Sequence, residues 1–277
     1  MGGVLNSNYG YLLQILKLFF FNLNKNMEST FKNKTAIVTG GSFGIGRAAA
    51  IAFASKGANV AIVDWVKDDE TLNAIKTMGG SAIFIQCDVS KSSDVKAMID
   101  QVVATYGSID YAFNNAGIEG TMGVAHECTE ENWDKTIGVN LKGIWLCMKY
   151  EIAEMLKQGK GAIVNCASVA GLIGFAGLPA YVASKHGVLG LTKTSALECA
   201  KLGIRVNAVC PGAIVTPMID RITGKQKEVE AQFAALEPIG RLGQPEEVAN
   251  AVLWLCSDEA SFVTGNAMTV DGGWVAQ

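Results

Sequence analysis

Short apolar segments alternate with segments of helical periodicity along most of the chain. The apolar segments are TAIVTG (35–40), ANVAIVD (58–64), SAIFIQCDV (81–89), IDYAFNNAG (109–117), AIVNCAS (162–168), IRVNAVCPG (204–212) and one near AMTVDGG (267–273). Helices are predicted over residues 45–57, 68–80, 93–107, 129–157, 178–200 and 246–258. Most apolar segments lack a polar position at every second residue, which is typical of strands buried on both faces. The pattern therefore predicts an α/β fold, a doubly wound parallel seven-stranded sheet with helices on both faces.

The first 30 residues do not follow this alternation. YLLQILKLFFF (11–21) is apolar, but it is interrupted by Lys17 and is too short for a membrane span. Three interpretations remain for this extension: a stretch upstream of a true start at Met27, an amphipathic surface anchor, or a packed extension. We favour the start at Met27, because the compact pattern begins near Phe31. We therefore expect a single domain over residues 31–277.

The amino-acid composition limits which binding partners and which cellular compartment are expected. Of 277 residues, 49% are hydrophobic and 18% are charged, and the net charge is −3 without a basic patch. Nucleic acid is therefore not expected as a partner. The seven cysteines form no CxxC pair, which favours reduced structural thiols in a reducing compartment, the cytoplasm. The chain has two histidines, His126 and His186, which gives little support for a histidine-based metal site or a Ser-His-Asp triad. No metal is therefore expected.

The first apolar segment runs into TGGSFGIG, residues 39–46, where a helix is predicted to begin. Gly40, Gly44 and Gly46 would let the backbone approach a pyrophosphate, whose charge a helix N-terminus favours. The remaining residues assigned to this turn are Ser42, Phe43 and Ile45. The alternative is a plain glycine-rich turn. The placement between strand and helix favours a nucleotide-binding turn in a Rossmann-like sheet.

Asp64 ends the second apolar segment, about where an acidic residue would meet an adenosine ribose. A carboxylate there accepts hydrogen bonds from the ribose hydroxyls of NAD and repels the extra phosphate of NADP. The neighbouring Phe43 and Trp65 are not basic. We therefore predict NAD over NADP, with a solvated carboxylate at a strand end as the alternative.

Polar and small residues also follow the next three apolar segments. Asp88 and Val89 could meet the adenine, and the small residues of NNAG would let a cofactor lie against the backbone at Asn115, Ala116 and Gly117. Asn140 lies within a predicted helix, where asparagine is a poor helix former, so a polar role competes with simple exposure. Ser168 would bind a substrate oxygen, or merely cap a turn. A nucleophilic serine is rejected because no His-Asp pair accompanies it.

Tyr181 and Lys185, in AYVASKHGVLG, are four residues apart on a predicted helix and share one face. A free tyrosine side chain has a pKa of about 10 and is a poor base at neutral pH. A nearby ammonium group favours the phenolate. The alternative is a tyrosine at the edge of the core and a lysine in solvent.

These motifs together resemble the short-chain dehydrogenase/reductase family over residues 33–277: TGGSFGIG, NNAG, Asn140, Ser168, YVASK and PGAIVTP. The resemblance implies that Tyr181 is the general acid/base and that Lys185 favours its ionised form and binds the nicotinamide ribose. It also implies that Ser168 orients the substrate oxygen and that Asn140 holds a water of the proton relay.

The resemblance extends to the last quarter of the chain. PGAIVTP (211–217) would bring Thr216 and the backbone of Ile214 to the nicotinamide carboxamide, together with Pro211 and Gly212. The loop from residue 218 to 237 would form a lid over the substrate, beginning near 216. FVTG and VDGG resemble the family's subunit interface, which implies a homotetramer.

The predicted function is an NAD-dependent oxidoreductase that interconverts a secondary alcohol, cyclic or aliphatic, and its ketone by hydride transfer. The expected pocket wall is apolar and comprises Val169, Gly171, Ile173, Phe175 and Met218. One alternative is a 3-oxoacyl carrier-protein reductase, which would need a basic entrance, and the lid offers Arg221, Lys225 and Lys227. A second is a non-catalytic NAD-binding regulator, although such proteins usually lose the tyrosine or the lysine. A membrane partner is not expected.

Overall fold

The computed structural model describes residues 31–277, so the first 30 residues and the expectations about them lie outside the described part of the chain. Seven parallel strands form one sheet in the order β3-β2-β1-β4-β5-β6-β7. The strands are β1 Thr35–Thr39, β2 Asn59–Asp64, β3 Ser81–Gln86, β4 Tyr111–Asn114, β5 Gly161–Cys166, β6 Ile204–Pro211 and β7 Ala267–Val270. The predicted doubly wound parallel sheet is confirmed.

Helices cover both faces of the sheet. They are α1 Gly44–Ser55, α2 Glu70–Thr77, α3 Ser92–Tyr106, α4 Glu130–Ile137, α5 Ile144–Gln158, α6 Pro179–Cys199, α7 Pro217–Thr223, α8 Lys227–Leu236 and α9 Pro245–Cys256. Helices α3, α5 and α6 pack on one face, and α1, α2 and α9 pack on the other. In β1, Ile37 faces the first layer while Ala36 and Val38 face the second, and all three are fully buried. This double burial explains why the strand sequences are apolar throughout.

The helix predicted over 129–157 is present without a break, but it is not α-helical throughout. A π-helical turn, Gly138–Gly143, separates α4 from α5. Such a turn shifts the side chains that follow it and is frequent at functional sites. It carries Asn140, whose position is described below.

The segment predicted as a loop over 218–237 is largely helical, because α7 and α8 occupy it. The side-chain oxygen of Thr216 caps α7 and Pro217 occupies its first turn, where a missing N–H costs nothing. Both helices are too short for their periodicity to stand out in the sequence. Among residues 31–277, no helix has the length and apolar character needed to cross a membrane.

The cysteines are free thiols, and all but Cys128 are buried. Burial, reinforced by the negative charges of Asp94 and Asp88, raises the pKa of Cys87 to about 12. The buried thiols are therefore packing groups rather than nucleophiles.

Candidate active site

The residues singled out in the sequence cluster at one edge of the sheet, because the carboxyl ends of parallel strands lie on the same side. The glycine-rich turn follows β1, Asp64 ends β2, and Asp88 follows β3. Asn115 follows β4 and Ser168 follows β5, while Pro211 is the last residue of β6 and Gly212, Ile214 and Thr216 follow it. The structure therefore brings the predicted cofactor and catalytic residues to one edge.

The turn after β1 has no room for side chains at its glycines. Gly40 and Gly44 have φ angles of 64° and 51°, in the left-handed region that favours glycine. A Cβ on Gly46 would collide with the carbonyl oxygen of Gly40. The Phe43 side chain makes no capping hydrogen bond, so the first N–H groups of α1 have no side-chain cap. An anion is the natural partner for such a helix start.

Asp64 is bound to the backbone of this turn. Its carboxylate oxygens accept hydrogen bonds from the backbone N–H groups of Ser42, at 3.1 Å, and Val66, at 3.1 Å. Two backbone bonds fix the carboxylate beside the glycine-rich turn and leave further lone pairs of both oxygens free for ligand hydroxyls. Trp65, next to it, is 63% exposed and can cover this region.

Arg47 is a basic residue near Asp64 that the sequence argument missed. Its guanidinium group lies 5.4 Å from the centre of the Phe43 ring and donates to the carbonyl oxygen of Ser42. It also pairs with Asp68, at 2.5 Å, and with Glu70, at 2.6 Å. Two carboxylates therefore neutralise the Arg47 guanidinium beside the Asp64 turn. No local sequence signal marked it, since its partners come from the next loop.

Asp88 is engaged by its own turn. One carboxylate oxygen accepts hydrogen bonds from the backbone and hydroxyl of Ser90, and the other lies 3.3 Å from Lys91 Nζ. Burial acts to raise the pKa of Asp88, but the Ser90 hydrogen bonds and the Lys91 charge hold it below its usual value. Val89 packs against Gly143, which lacks a side chain at that contact. A contact of Asp88 or Val89 with adenine stays a prediction.

Asn115 ties the end of β4 to the end of β1. Its amide group donates to the carbonyl oxygen of Thr39, and the Thr39 hydroxyl accepts from the backbone N–H groups of Asn115 and Ala116. A Cβ on Gly117 would lie 3.3 Å from Asn140 Oδ1 and 3.7 Å from Lys185 Nζ. The NNAG segment thus forms a close-fitting floor between the glycine-rich turn and the lysine.

Asn140 is fully buried and its side chain braces two segments. Its oxygen accepts from the backbone N–H of Ile118, and its amide nitrogen donates to the Ile118 carbonyl and to the Ser184 hydroxyl. Both amide hydrogens are therefore used within the protein. One lone pair of its side-chain oxygen remains for a water, so the predicted relay water stays a prediction.

Ser168 and Lys185 meet at the carboxyl end of β5. Ser168 Oγ accepts from the backbone N–H of Ala170, at 3.1 Å, so the capping role considered in the sequence is real and still leaves the hydroxyl hydrogen free to donate. Lys185 is 3% exposed, and its ammonium group donates to the carbonyl oxygen of Cys166, at 2.7 Å. A Cβ on Gly171 would lie 2.8 Å from the Lys185 carbonyl, so the Ser168 turn packs directly on α6.

Tyr181 and Lys185 share one face of α6, as their spacing predicted. The ammonium nitrogen of Lys185 lies 5.6 Å from the centre of the Tyr181 ring. The backbone carbonyl of Tyr181 is bound by the Ser184 hydroxyl, which links this turn to Asn140. The phenol is half-buried and so accessible, while its cation is buried. This geometry is that of a hydroxyl acid/base beside a fixed positive charge.

An apolar cluster adjoins these polar groups. It contains Val169, Ala213, Ile219 and Trp274, with Ile173, Phe175, Ile222, Phe233, Leu242 and Val275 packed against them. Phe175 and Trp274 meet edge to face, with ring centres 5.5 Å apart. Of the predicted pocket wall, Val169, Ile173 and Phe175 belong to the cluster. Gly171 instead faces α6, and Met218 is half-buried outside the cluster.

A family model described as enoyl-(acyl carrier protein) reductase, adh_short_C2, matches residues 40–275. The chain belongs to the short-chain dehydrogenase/reductase family. It is an oxidoreductase of that type. Members of the short-chain dehydrogenase/reductase family use nicotinamide cofactors, and the side-chain-free turn and open helix start after β1 fit a pyrophosphate of this kind.

Three proteins illustrate which members of the short-chain dehydrogenase/reductase family this chain is similar to. The chain is 44% identical to cyclohexanol dehydrogenase of Acinetobacter sp. (strain SE19), over 92% of this chain and 100% of that protein. It is 42% identical to the 3-oxoacyl-[acyl-carrier-protein] reductase FabG of Staphylococcus aureus (strain Mu50 / ATCC 700699), over 87% and 97%. The solved structure of levodione reductase superposes with a TM-score of 0.84 at 37% identity, covering 89% of this chain and 99% of that chain.

Glu237, at the end of α8, was not identified from the sequence as a site residue of this short-chain dehydrogenase/reductase. It is 2% exposed, and its carboxylate accepts from the backbone N–H of Ala213, at 2.6 Å. A Cβ on Gly212 would lie 2.5 Å from the same carboxylate oxygen. Burial raises the pKa of Glu237, partly offset by the Ala213 hydrogen bond. Glu237 thus fixes the loop after β6 from 24 residues away, a distance at which no sequence motif signals the contact.

A buried polar network beneath the strand ends was also missed. Asn114 donates to Glu151, at 3.0 Å, and to Asn165, at 3.1 Å, and Asn165 donates to Thr192. Burial raises the pKa of Glu151 to about 7, although the Asn114 hydrogen bond opposes it. The network joins β4, β5, α5 and α6 next to the strand ends that carry the predicted catalytic residues of this short-chain dehydrogenase/reductase. The polar doublet in NNAG was the available signal for Asn114.

We predict that Gly46→Ala weakens NADH binding by about 5-fold to 150-fold. The added methyl group would overlap the Gly40 carbonyl and the Asn115 amide, so the turn must shift at a cost of about 1–3 kcal/mol. Titration with NADH, followed by its fluorescence, measures the effect. Gly190→Ala on α6 is the matched control, because a Cβ there meets nothing within 4 Å. Equal NADH affinity in both variants would contradict the assigned cofactor turn.

Proposed function

We propose that the protein is an NAD-dependent oxidoreductase that interconverts a secondary alcohol and its ketone by hydride transfer. One observation carries this proposal: the accessible Tyr181 phenol and the buried Lys185 ammonium occupy adjacent turns of one helix face, next to Ser168. A sensor has little use for a buried cation held beside an accessible phenol, which disfavours the non-catalytic alternative.

In the proposed mechanism, Ser168 donates its free hydroxyl hydrogen to the substrate oxygen and holds it toward Tyr181. The Tyr181 phenolate removes the alcohol proton as general base, and the phenol returns it during ketone reduction. Bound NAD supplies the acceptor for the hydride that leaves the carbinol carbon. The Lys185 ammonium stabilises the phenolate, and the donors not used on Cys166 can hold ribose hydroxyls. Asn140 positions Ile118 and α6 through its side-chain hydrogen bonds. No step of this mechanism requires a metal.

The proposed substrate is an uncharged cyclic or aliphatic alcohol. The apolar cluster of Phe175, Trp274 and their neighbours next to Ser168 supports a hydrocarbon ring, and the similarity to a cyclohexanol dehydrogenase agrees with it. The carrier-protein alternative rests on the similarity to a 3-oxoacyl-[acyl-carrier-protein] reductase. Two of the basic lid residues are already paired with carboxylates, Arg221 with Glu119 and Lys225 with Asp220. Little positive charge therefore remains at the entrance to bind a carrier protein.

A steady-state assay tests this proposal. Nicotinamide absorbance is followed with NAD and a panel of cyclohexanols, linear secondary alcohols and sugars, and with NADH and a 3-oxoacyl thioester. We expect NADH formation with the cyclic alcohols at the highest kcat/KM. Faster reduction of the thioester would favour the carrier-protein alternative. Tight NADH binding without turnover of any compound would favour the regulator.

We predict that Asp64→Ala lowers the preference for NAD over NADP by about tenfold or more. The charge that repels the added phosphate is lost, along with hydrogen bonds to the ribose, and a charge-assisted hydrogen bond is worth about 1.5–3 kcal/mol. The readout is the ratio of kcat/KM for NAD to that for NADP. Asp69→Ala, in the following exposed loop, is the control. An unchanged ratio in Asp64→Ala would contradict the assignment.

We also propose a homotetramer in the cytoplasm, with residues near 216–237 acting as a substrate lid. Phe262, in the FVTG segment, is fully exposed, and Leu197 on α6 is 84% exposed. Large apolar side chains left in solvent support burial against further copies of the chain. The buried free thiols support a reducing compartment.

A further inference from the structure

Glu119 and Arg221 form an ion pair between the segment after β4 and helix α7, which flank the candidate catalytic residues. The guanidinium Nε lies 2.6 Å from one carboxylate oxygen and Nη2 lies 3.1 Å from the other, so the pair is bidentate. Such fork-to-fork pairs are directional and are stronger than single contacts. Burial acts to raise the pKa of Glu119, but the Arg221 hydrogen bond and charge lower it below its usual value, so the carboxylate is ionised at neutral pH.

The sheet order places this pair over the end of β5. Glu119 belongs to the segment after β4, and Arg221 lies on α7 after β6, while β5 runs between those two strands. Adjacent strands are about 4.8 Å apart, so the pair spans about 10 Å across the sheet edge. Ser168 follows β5 at this edge. The ion pair therefore bridges the cleft in which the substrate oxygen would meet Ser168.

Both ends of the bridge are anchored to the site itself. Asn140 holds Ile118, next to Glu119, and Asn132 holds Thr121 by two hydrogen bonds. Arg221 lies one turn after Thr216, which caps α7. The Glu119 side chain is 21% exposed and that of Arg221 is 58% exposed, so the carboxylate faces inward relative to its partner. The charged bridge is thus fixed over an otherwise apolar cleft.

We propose that the Glu119–Arg221 bridge determines substrate specificity by confining the enzyme to uncharged alcohols and ketones. This inference rests on the proposed function and assigns its restriction to uncharged substrates to two residues. An anionic substituent entering the cleft meets the Glu119 carboxylate, and the guanidinium that could bind it is already neutralised. On the same side of the cleft, Lys225 Nζ lies 3.8 Å from a carboxylate oxygen of Asp220, so the charge of this lysine is also offset. An uncharged ring passes under the bridge without this repulsion.

Glu119→Gln tests the inference, because it removes the negative charge and frees Arg221 for a carboxylate. The substrates are cyclohexanol and 4-hydroxycyclohexanecarboxylate, assayed with NAD. We expect the ratio of kcat/KM for the acid to kcat/KM for cyclohexanol to rise about tenfold, the size of one charge-assisted hydrogen bond. The matched control is Glu119→Gln combined with Arg221→Gln, in which the gain should be smaller because the freed guanidinium is absent. An unchanged ratio in Glu119→Gln, or an equal rise in the double variant, would overturn the inference.

A second measurement needs no variant. The wild-type enzyme should use the methyl ester of the same acid with a kcat/KM about tenfold above that of the acid itself, and equal values would overturn the inference.

A binding measurement distinguishes a failure of this inference from a failure of the proposed function. If wild-type protein turns over none of the alcohols, titration of the NADH-loaded protein with cyclohexanecarboxylate still decides. Tighter binding to Glu119→Gln than to wild type supports the bridge while the proposed reaction fails, and equal binding overturns the bridge.

Discussion

Tyr181→Phe is expected to lower kcat by about 10²–10⁴-fold, the usual contribution of a positioned acid/base. The substitution removes one oxygen atom, and the ring keeps its place on α6 beside Lys185. Binding of NADH should persist, because the glycine-rich turn, Asp64 and the Lys185 ammonium, which are assigned to the cofactor, are unchanged in this variant. The measurement is steady-state turnover of the best cyclic alcohol together with an NADH titration.

Tyr150→Phe is the matched control for this variant. Tyr150 lies on α5, where its hydroxyl is 2.8 Å from the exposed Ser92 hydroxyl, away from the candidate site. Its loss should leave turnover close to that of the wild type. Near-normal turnover in Tyr181→Phe would remove the acid/base assignment.

Lys185→Met is expected to lower kcat/KM by about 10²-fold or more, through both chemistry and cofactor affinity. Methionine has a side chain of similar length to lysine but lacks the ammonium group. The variant therefore loses a charge-assisted interaction with the phenolate and another with ribose hydroxyls, each worth about 1.5–3 kcal/mol. The readouts are kcat and the KM for NAD.

A loss of folding must be separated from a loss of function in this variant. Lys185 is 3% exposed and satisfies the Cys166 carbonyl, so its removal leaves a buried acceptor without a partner, at a cost of about 1–3 kcal/mol. Thermal unfolding measures that cost. Lys193→Met, at an exposed position of the same helix, is the control. A folded Lys185→Met variant with near-normal kcat and an unchanged KM for NAD would contradict the role given to the ammonium.

The features predicted well from the sequence are those set by local pattern. Strands buried on both faces are apolar throughout, and the carboxyl-end rule for parallel sheets then places Asp64 and Ser168 at one edge. The spacing of Tyr181 and Lys185 fixes them to one helix face for the same local reason. Predicted strands extended too far at their ends, as at residues 87–89 and 115–117, because the apolar and small residues that leave the sheet resemble those within it.

The features missed are contacts between distant segments. Glu119 and Arg221 are 102 residues apart, and Arg47 finds its carboxylates more than 20 residues away. Charged residues of this kind are read from sequence as solvated, since only tertiary structure brings their partners close. The π-helical turn at Asn140 was missed, although Gly138, Asn140 and Gly143 are poor helix formers between two helices that contain no glycine.

The transfer of a labelled hydrogen tests the central claim most directly. Wild-type protein is mixed with NAD and a panel of cyclic secondary alcohols carrying deuterium on the carbinol carbon, and the cofactor is analysed by mass spectrometry. We predict that deuterium appears in NADH in step with the ketone, and that Tyr181→Phe reduces both together. Ketone formed without label in the cofactor, or no reaction with any alcohol of the panel, would contradict the proposed hydride transfer.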